Sequence, residues 1–158
     1  MTANFTVRKA TSADEAQILE CLALAFAPHK ESYTPQAFAD TILSPETLRQ
    51  RANDMTLLVA ADASGRVVGT VAYKIMEGIR GHIRGMAVRP ECHGSGVART
   101  LLDAVVSDLR ALGCQVVTLN TTQPLQRAMR FYENYGFRPT GDKRSFFGMD
   151  LFLYRKAL

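Results

Sequence analysis

Apolar and polar residues alternate through Phe5-Thr6-Val7-Arg8 and then change period, which predicts a short strand followed by a helix. Ser12-Ala13-Asp14-Glu15 has the form of a capping box, and Ile18, Leu22, Ala25 and Phe26 recur at helical spacing as the buried stripe behind it. Residues 28–54 are less regular. Thr34-Pro35 and Ser44-Pro45 each read as a helix start there, because proline at the first helical position gives up only an N–H that has no partner anyway. Two apolar, partly β-branched runs, 55–61 and 66–73, flank Asp62-Ala63-Ser64-Gly65 and predict a hairpin, with a third strand at 79–88. Val97, Leu101, Val105, Leu109 and Leu112 then keep helical spacing until Gly113 stops them.

A Val-rich strand follows at 114–120. Strand, helix and strand over this length imply a parallel pair joined by a right-handed crossover. Pro124 opens a further helix with Leu125, Ala128, Met129, Tyr132 and Tyr135 turned inward, and Gly136 closes it before a last pair of strands at 137–143 and 146–154. The predicted class is α/β, in the order strand, helices, three strands, helix, strand, helix, two strands. At 158 residues, 47% of them hydrophobic and 22% charged, the chain suits one domain spanning 1–158 with a core of its own.

The longest apolar run, residues 21–27, is far short of the ~20 a membrane helix needs, and the first residues lack a signal pattern, so a cytoplasmic location is expected. Cys21, Cys92 and Cys114 are odd in number and widely spaced, which suggests neither a disulfide framework nor a metal site. Charge is uneven along the chain. Residues 1–62 hold five Lys or Arg against eight Asp or Glu, whereas residues 66–158 hold fourteen against seven. That bias hints at an anionic partner, either a phosphorylated cofactor or nucleic acid, or else marks a solvated basic face.

The most informative stretch is Val88-Arg89-Pro90-Glu91-Cys92-His93-Gly94-Ser95-Gly96-Val97-Ala98, which leaves a strand and enters a helix through two glycines. The first turn of a helix presents unpaired N–H groups and the positive end of the macrodipole, so this is an anion site suited to a phosphate or pyrophosphate. A P-loop would need Gly-Lys-Ser/Thr, and Gly96 is followed by Val97-Ala98-Arg99. A dinucleotide fold would place its glycines after the first strand, and these come late.

Together with Leu101-Leu102, Ala128, Phe131-Tyr132-Glu133 and Gly136-Phe137, this stretch resembles the GNAT superfamily of N-acetyltransferases. The resemblance covers most of the chain, with two motifs in correct spacing. It implies a single-domain GNAT fold, with two helices between the first and second strands, a mixed, mostly antiparallel sheet splayed between its fourth and fifth strands, and acetyl-CoA lying in the V. The pyrophosphate would rest on the amides of His93, Gly94, Ser95, Gly96, Val97 and Ala98, and the pantetheine arm on the backbone of Met86 and Val88. Gly85 fits a β-bulge that parts the strands. His93 stands where the family usually has Gln or Arg, and Leu125 where it often has Asn, with Asn120 or Gln123 able to supply an amide in its place.

For the chemistry, the resemblance implies direct acyl transfer to an amine, with the Met86 N–H polarising the carbonyl and Tyr132 protonating the departing thiolate. His82, six residues before Val88, is the candidate base: strand alternation sets it on one side with Arg84 and Met86, and Arg84 would lower its pKa. The alternative is a plain surface residue, and Glu77 stands in reserve. The acceptor pocket is expected between residues 28–33 and the last hairpin, where His29, Glu31 and Tyr33 would suit a cation and Lys143 and Arg144 a carboxylate or phosphate. The expected activity is N-acetylation of a small-molecule primary amine, without metal, membrane or nucleic acid; a homodimer is compatible with it. A non-catalytic acyl-CoA sensor and an acetyltransferase of protein N-termini or lysines are the alternatives.

Overall fold

A computed structural model describes residues 4–158. Seven strands form one sheet in the order β1-β2-β3-β4-β5-β7-β6, with β1 Phe5–Lys9, β2 Thr56–Asp62, β3 Val67–Met76, β4 Arg80–Val88, β5 Val116–Thr121, β6 Arg138–Phe146 and β7 Met149–Ala157. Only β4 and β5 pair in parallel, as the crossover requires, and every other neighbouring pair is antiparallel. The helices are α1 Glu15–Phe26, α2 Pro35–Ile42, α3 Pro45–Asp54, α4 Val97–Ala111 and α5 Gln126–Tyr135. None of the helices in the described residues is long and apolar enough to cross a membrane.

Three helices separate β1 from β2, where the family pattern led to an expectation of two. Both Pro starts nucleate one: the Thr34 side chain accepts from the Ala37 N–H and the Ser44 side chain from the Thr47 N–H, so each first turn is capped locally. At the first helix the capping box lies one residue earlier than expected. The Asp14 carboxylate accepts the Thr11 N–H at 2.8 Å while Arg8 holds it through two bonds of 2.8 and 2.9 Å, which keeps its pKa at about 2. Ile18 and Leu22 are buried as expected, joined by Cys21, whereas Ala25 and Phe26 are half-buried because they reach the cavity described below. Leu112 is exposed, since α4 has ended at Ala111 and Leu112 is its C-cap.

Two cores cover the two faces of the sheet. On one, Val97, Leu101, Leu102, Val105 and Leu109 of α4 pack with Leu58, Val71, Ile83, Val117 and Leu119; on the other, Ile18, Cys21, Leu22 and Leu48 pack with Val59, Val67 and Ala87. Each fully buried Leu or Val side chain contributes about 1.5–3 kcal/mol. The α4 face is set close to the sheet by glycine. A Cβ on Gly81 would fall 2.4 Å from Leu109, and one on Gly69 2.7 Å from Val97.

Candidate active site

The pairing of β4 with β5 stops at Ile83 opposite Leu119, although both strands continue. The cause lies one strand over. Between β3 and β4 the register passes from Ala72↔Arg84 to Thr70↔Ala87, so β4 carries one extra residue, and Gly85 absorbs it with φ +69°. This is the bulge expected at Gly85.

The bulge also reverses which way the following side chains face. Ile83, Met86 and Val88 all lie on the α4 face, while Ala87 packs with α1 on the other. His82 alternates with Ile83 and so faces the α1–α3 side. The expectation that His82 and Met86 share a side is therefore corrected: strict alternation holds up to Gly85 and is inverted after it.

A cavity of about 860 Å3 opens where the strands part and is lined from both faces. On the α4 face its wall includes Met86, Val88, His93, Gly94, Gly96, Val97, Ala98, Leu125, Ala128, Phe131 and Tyr132. Gly94 and Gly96 hold φ of +80° and +89° with open space where a side chain would be. Their positive φ turns the chain into α4 and leaves the Val97 and Ala98 N–H groups without backbone acceptors among the described residues. The His93 and Ser95 amides, by contrast, are spent inside the loop on the Pro90 and Cys92 carbonyls at 3.2 Å each, and the Ser95 hydroxyl donates to Cys92. What remains is a compact set of free donors at a helix N-terminus, which suits a phosphate group.

Arg89 fixes where this loop starts. It is only 1% exposed, its Nε donates to the Val67 carbonyl at 2.6 Å, and its Nη1 reaches Glu20 at 2.7 Å. Nothing in the local sequence marks it as buried, since both partners are remote along the chain.

Tyr132 is 7% exposed and lies among Phe131 and Phe137, with ring centroids 5.5 and 5.8 Å away, and on the cavity wall as well. Burial pushes its phenol above the ordinary value, so it stays protonated at neutral pH. At the parting point Asn120 Oδ1 and Thr121 Oγ1 are enclosed without hydrogen-bond partners, both on the cavity wall. Asn120, one of the two residues expected to supply the amide that Leu125 lacks, alternates with Leu119 of the α4 core and so lies with Thr118 on the other face of the sheet from Leu125.

On the α1–α3 face, His82 Nδ1 lies 2.8 Å from Thr118 Oγ1, whose hydroxyl points to the Gly81 carbonyl at 3.4 Å. That arrangement is satisfied when Nδ1 carries the proton, leaving the Nε2 lone pair free. Burial first, and then Arg80, Arg84, Lys74 and Arg144, depress the imidazole to about 4. Arg84 acts in the expected direction but is one of four cations. Of the expected acceptor segments, His29, Tyr33, Arg144, Ser145 and Phe146 line the cavity, and the Thr34 hydroxyl ties the two segments together by donating to Phe147 O at 2.8 Å. Lys143 instead pairs with Asp150 at 3.8 Å, and Glu77 sits exposed in the β3–β4 turn, apart from the cavity wall.

Residues 17–137 match the model of the acetyltransferase (GNAT) family. The chain belongs to that family. It is 32% identical over 135 residues, 82% of its length, to a mycothiol acetyltransferase of Beutenbergia cavernae, and 36% identical over 84 residues, 51% of its length, to a mycothiol acetyltransferase of Propionibacterium freudenreichii subsp. shermanii. It spans 43% and 27% of those two relatives, less than half of either. A solved structure of PaiA N-acetyltransferase from Thermoplasma acidophilum, in complex with coenzyme A, superposes with a TM-score of 0.79 at 20% identity and covers 98% of this chain and 99% of that one. At that identity the likeness speaks for the fold alone.

Proposed function

We propose that this GNAT chain moves an acetyl group from acetyl-CoA to the primary amine of a small molecule by direct transfer. The observation that carries the reading is the gap beyond Ile83 and Leu119, open on one face to free helix-start amides and on the other to a histidine with a free lone pair. Donor and acceptor can enter from opposite faces of the sheet and meet at the gap.

The cavity suits the donor. Gly94, Gly96, Val97 and Ala98 would hold the pyrophosphate, with His93 and Ser95 shaping the loop, and Met86 and Val88, lacking a β5 partner, would pair with the pantetheine arm as an added strand. Acetyl-CoA supplies the activated acyl group as a thioester. A backbone N–H at Met86 directed to the carbonyl oxygen would contribute about 3 kcal/mol to the transition state.

An alkyl amine of pKa ~10.4 is about one part in a thousand neutral at pH 7.4. The cations that depress His82 act on a bound ammonium in the same sense, favouring the neutral nucleophile. Little basicity is then required of His82, because its Nε2 accepts the proton only after attack, when the nitrogen that sheds it is far more acidic. Tyr132, kept protonated by burial, donates to the departing thiolate. The three free thiols fit a reducing cytoplasm as the compartment.

Thiol release from acetyl-CoA across a panel of primary amines, preceded by mass spectrometry for co-purified CoA, tests the reading. Amine-dependent release is expected. Tight CoA binding with no release from any amine, peptide N-termini and lysines included, overturns it in favour of an acyl-CoA sensor.

A further inference from the structure

The half of the cavity on the α1–α3 face holds more positive charge than its carboxylates balance. Arg51, Lys74, Arg80, Arg84 and Arg144 all line it, against Asp40 and Asp54. Both carboxylates are taken: Arg84 pairs with Asp40 at 2.7 Å and Lys74 with Asp54 at 2.9 Å. Among the described residues Arg51, Arg80 and Arg144 have no carboxylate partner.

Their placement is specific. The Arg51 guanidinium, reaching down from α3, lies against the bulge, where a Cβ on Gly85 would be 2.7 Å from its Nη1. Arg80 Nε is enclosed without an acceptor, and its Nη2 meets only the Met76 sulfur at 3.7 Å. Arg144 projects from the β6–β7 hairpin close enough to act on His82. Arg51 itself is pushed down to about 10, first by burial and then by Arg84, with the Asp40 carboxylate acting the other way but not offsetting them. These groups lie on the opposite face of the sheet from the Gly94–Gly96 turn, so the donor's pyrophosphate does not account for them.

Resting on the acyl-transfer reading, we propose that the acceptor amine carries a second, anionic group, a carboxylate or a phosphate, held by Arg51, Arg80 and Arg144 while its nitrogen meets His82. Guanidinium groups match both anions through paired N–H donors, and a purely cationic or neutral amine would leave the three arginines without a counter-charge. The two roles fall to different groups, with the arginines fixing the anion and the neutral imidazole at the gap receiving the amine.

Matched probes test this: O-phosphoethanolamine against ethanolamine, and glycine against methylamine. Each is measured by thiol release and, with CoA present, by calorimetric binding. The anionic member of at least one pair is expected to bind about tenfold tighter or better, and the pair showing the larger ratio tells phosphate from carboxylate. In Arg51→Gln and in Arg144→Gln, the latter on an exposed hairpin, that ratio falls toward one, and Arg51→Lys retains part of it. Equal binding of charged and neutral members overturns the proposal, as does a loss of CoA affinity in the arginine variants without loss of the ratio. If anionic probes are preferred in binding but no amine releases thiol, the transfer reading fails and the anion site stands. Brisk release without anionic preference has the reverse meaning.

Discussion

His82 Nδ1 and Thr118 Oγ1 are 2.8 Å apart across the parallel pair of β4 and β5, one register position before the two strands separate. Burial, and then the charges of Arg80, Arg84, Lys74 and Arg144, keep the imidazole neutral at the gap, and its pKa of about 4 links it to stability. Between about pH 6.5 and pH 4 the unfolded chain takes up a proton on this residue that the folded chain refuses, so folding stability falls as pH drops through that window. The loss is on the order of 2–3 kcal/mol. Urea titrations at pH 7 and pH 4.5 should show it in the wild type and show much less in His82→Gln; identical pH dependence in the two proteins would sink the assignment.

The same depression governs the rate profile. With His82 already deprotonated throughout the neutral range, kcat/KM for a simple amine should climb with pH toward the amine's own pKa and show no inflection near 6.5. An inflection near 6.5 that disappears in His82→Gln would mean an imidazole of ordinary basicity, contrary to its surroundings.

Tyr132 separates chemistry from packing. Its ring is buried between Phe131 and Phe137, yet its hydroxyl makes no side-chain hydrogen bond among the described residues. Tyr132→Phe should therefore leave stability within about 1 kcal/mol and the KM for acetyl-CoA nearly unchanged, while kcat drops by ~10²–10⁴. Thermal melts and steady-state thiol release read the two effects independently, and an unaltered kcat would return Tyr132 to a purely packing role.

How much of this was legible in the chain depends on how local each feature is. The strands and helices follow from apolar periodicity and from caps such as Thr34 and Ser44, whose partners lie three residues away. Gly85 announced a bulge because glycine is rare inside a strand, but its effect on facing depends on the β3 register, so alternation placed His82 and Met86 together wrongly. The roles of Arg51 and Arg89 could not be read from the chain: what makes them matter is Gly85 and Val67, 34 and 22 residues away, brought near only by the sheet. The Ser95 and His93 amides looked free for the same reason, since the carbonyls that occupy them become visible only once the turn is closed.

Gly96 tests the donor side. At φ +89° an alanine has space for its methyl group but adopts the left-handed region at about 1–2 kcal/mol, so the strain is in the backbone and not in a clash. Gly96→Ala should relax by shifting the Val97 and Ala98 amides, weakening CoA about tenfold in calorimetry while the melting temperature moves by only a few degrees. Unchanged CoA affinity would show that these amides do not hold the donor.

Arg89→Met examines whether the loop's position rests on a buried cation. Methionine fills similar volume, so the main loss is the charged donor to the Val67 carbonyl, while Glu20, 57% exposed, returns to water at little expense. The Arg89 backbone N–H still bonds Val68 at 2.9 Å, so the strand end stays paired and the fold survives. Removing a buried, charge-assisted bond of this kind should destabilise the protein by about 2–3 kcal/mol, or roughly 4–12 °C in melting temperature. CoA should bind more weakly too, because the turn that leads into Gly94 and Gly96 loses its anchor to β3. A melt and a titration identical to the wild type would place the anchor elsewhere, in the Pro90–Cys92 turn itself.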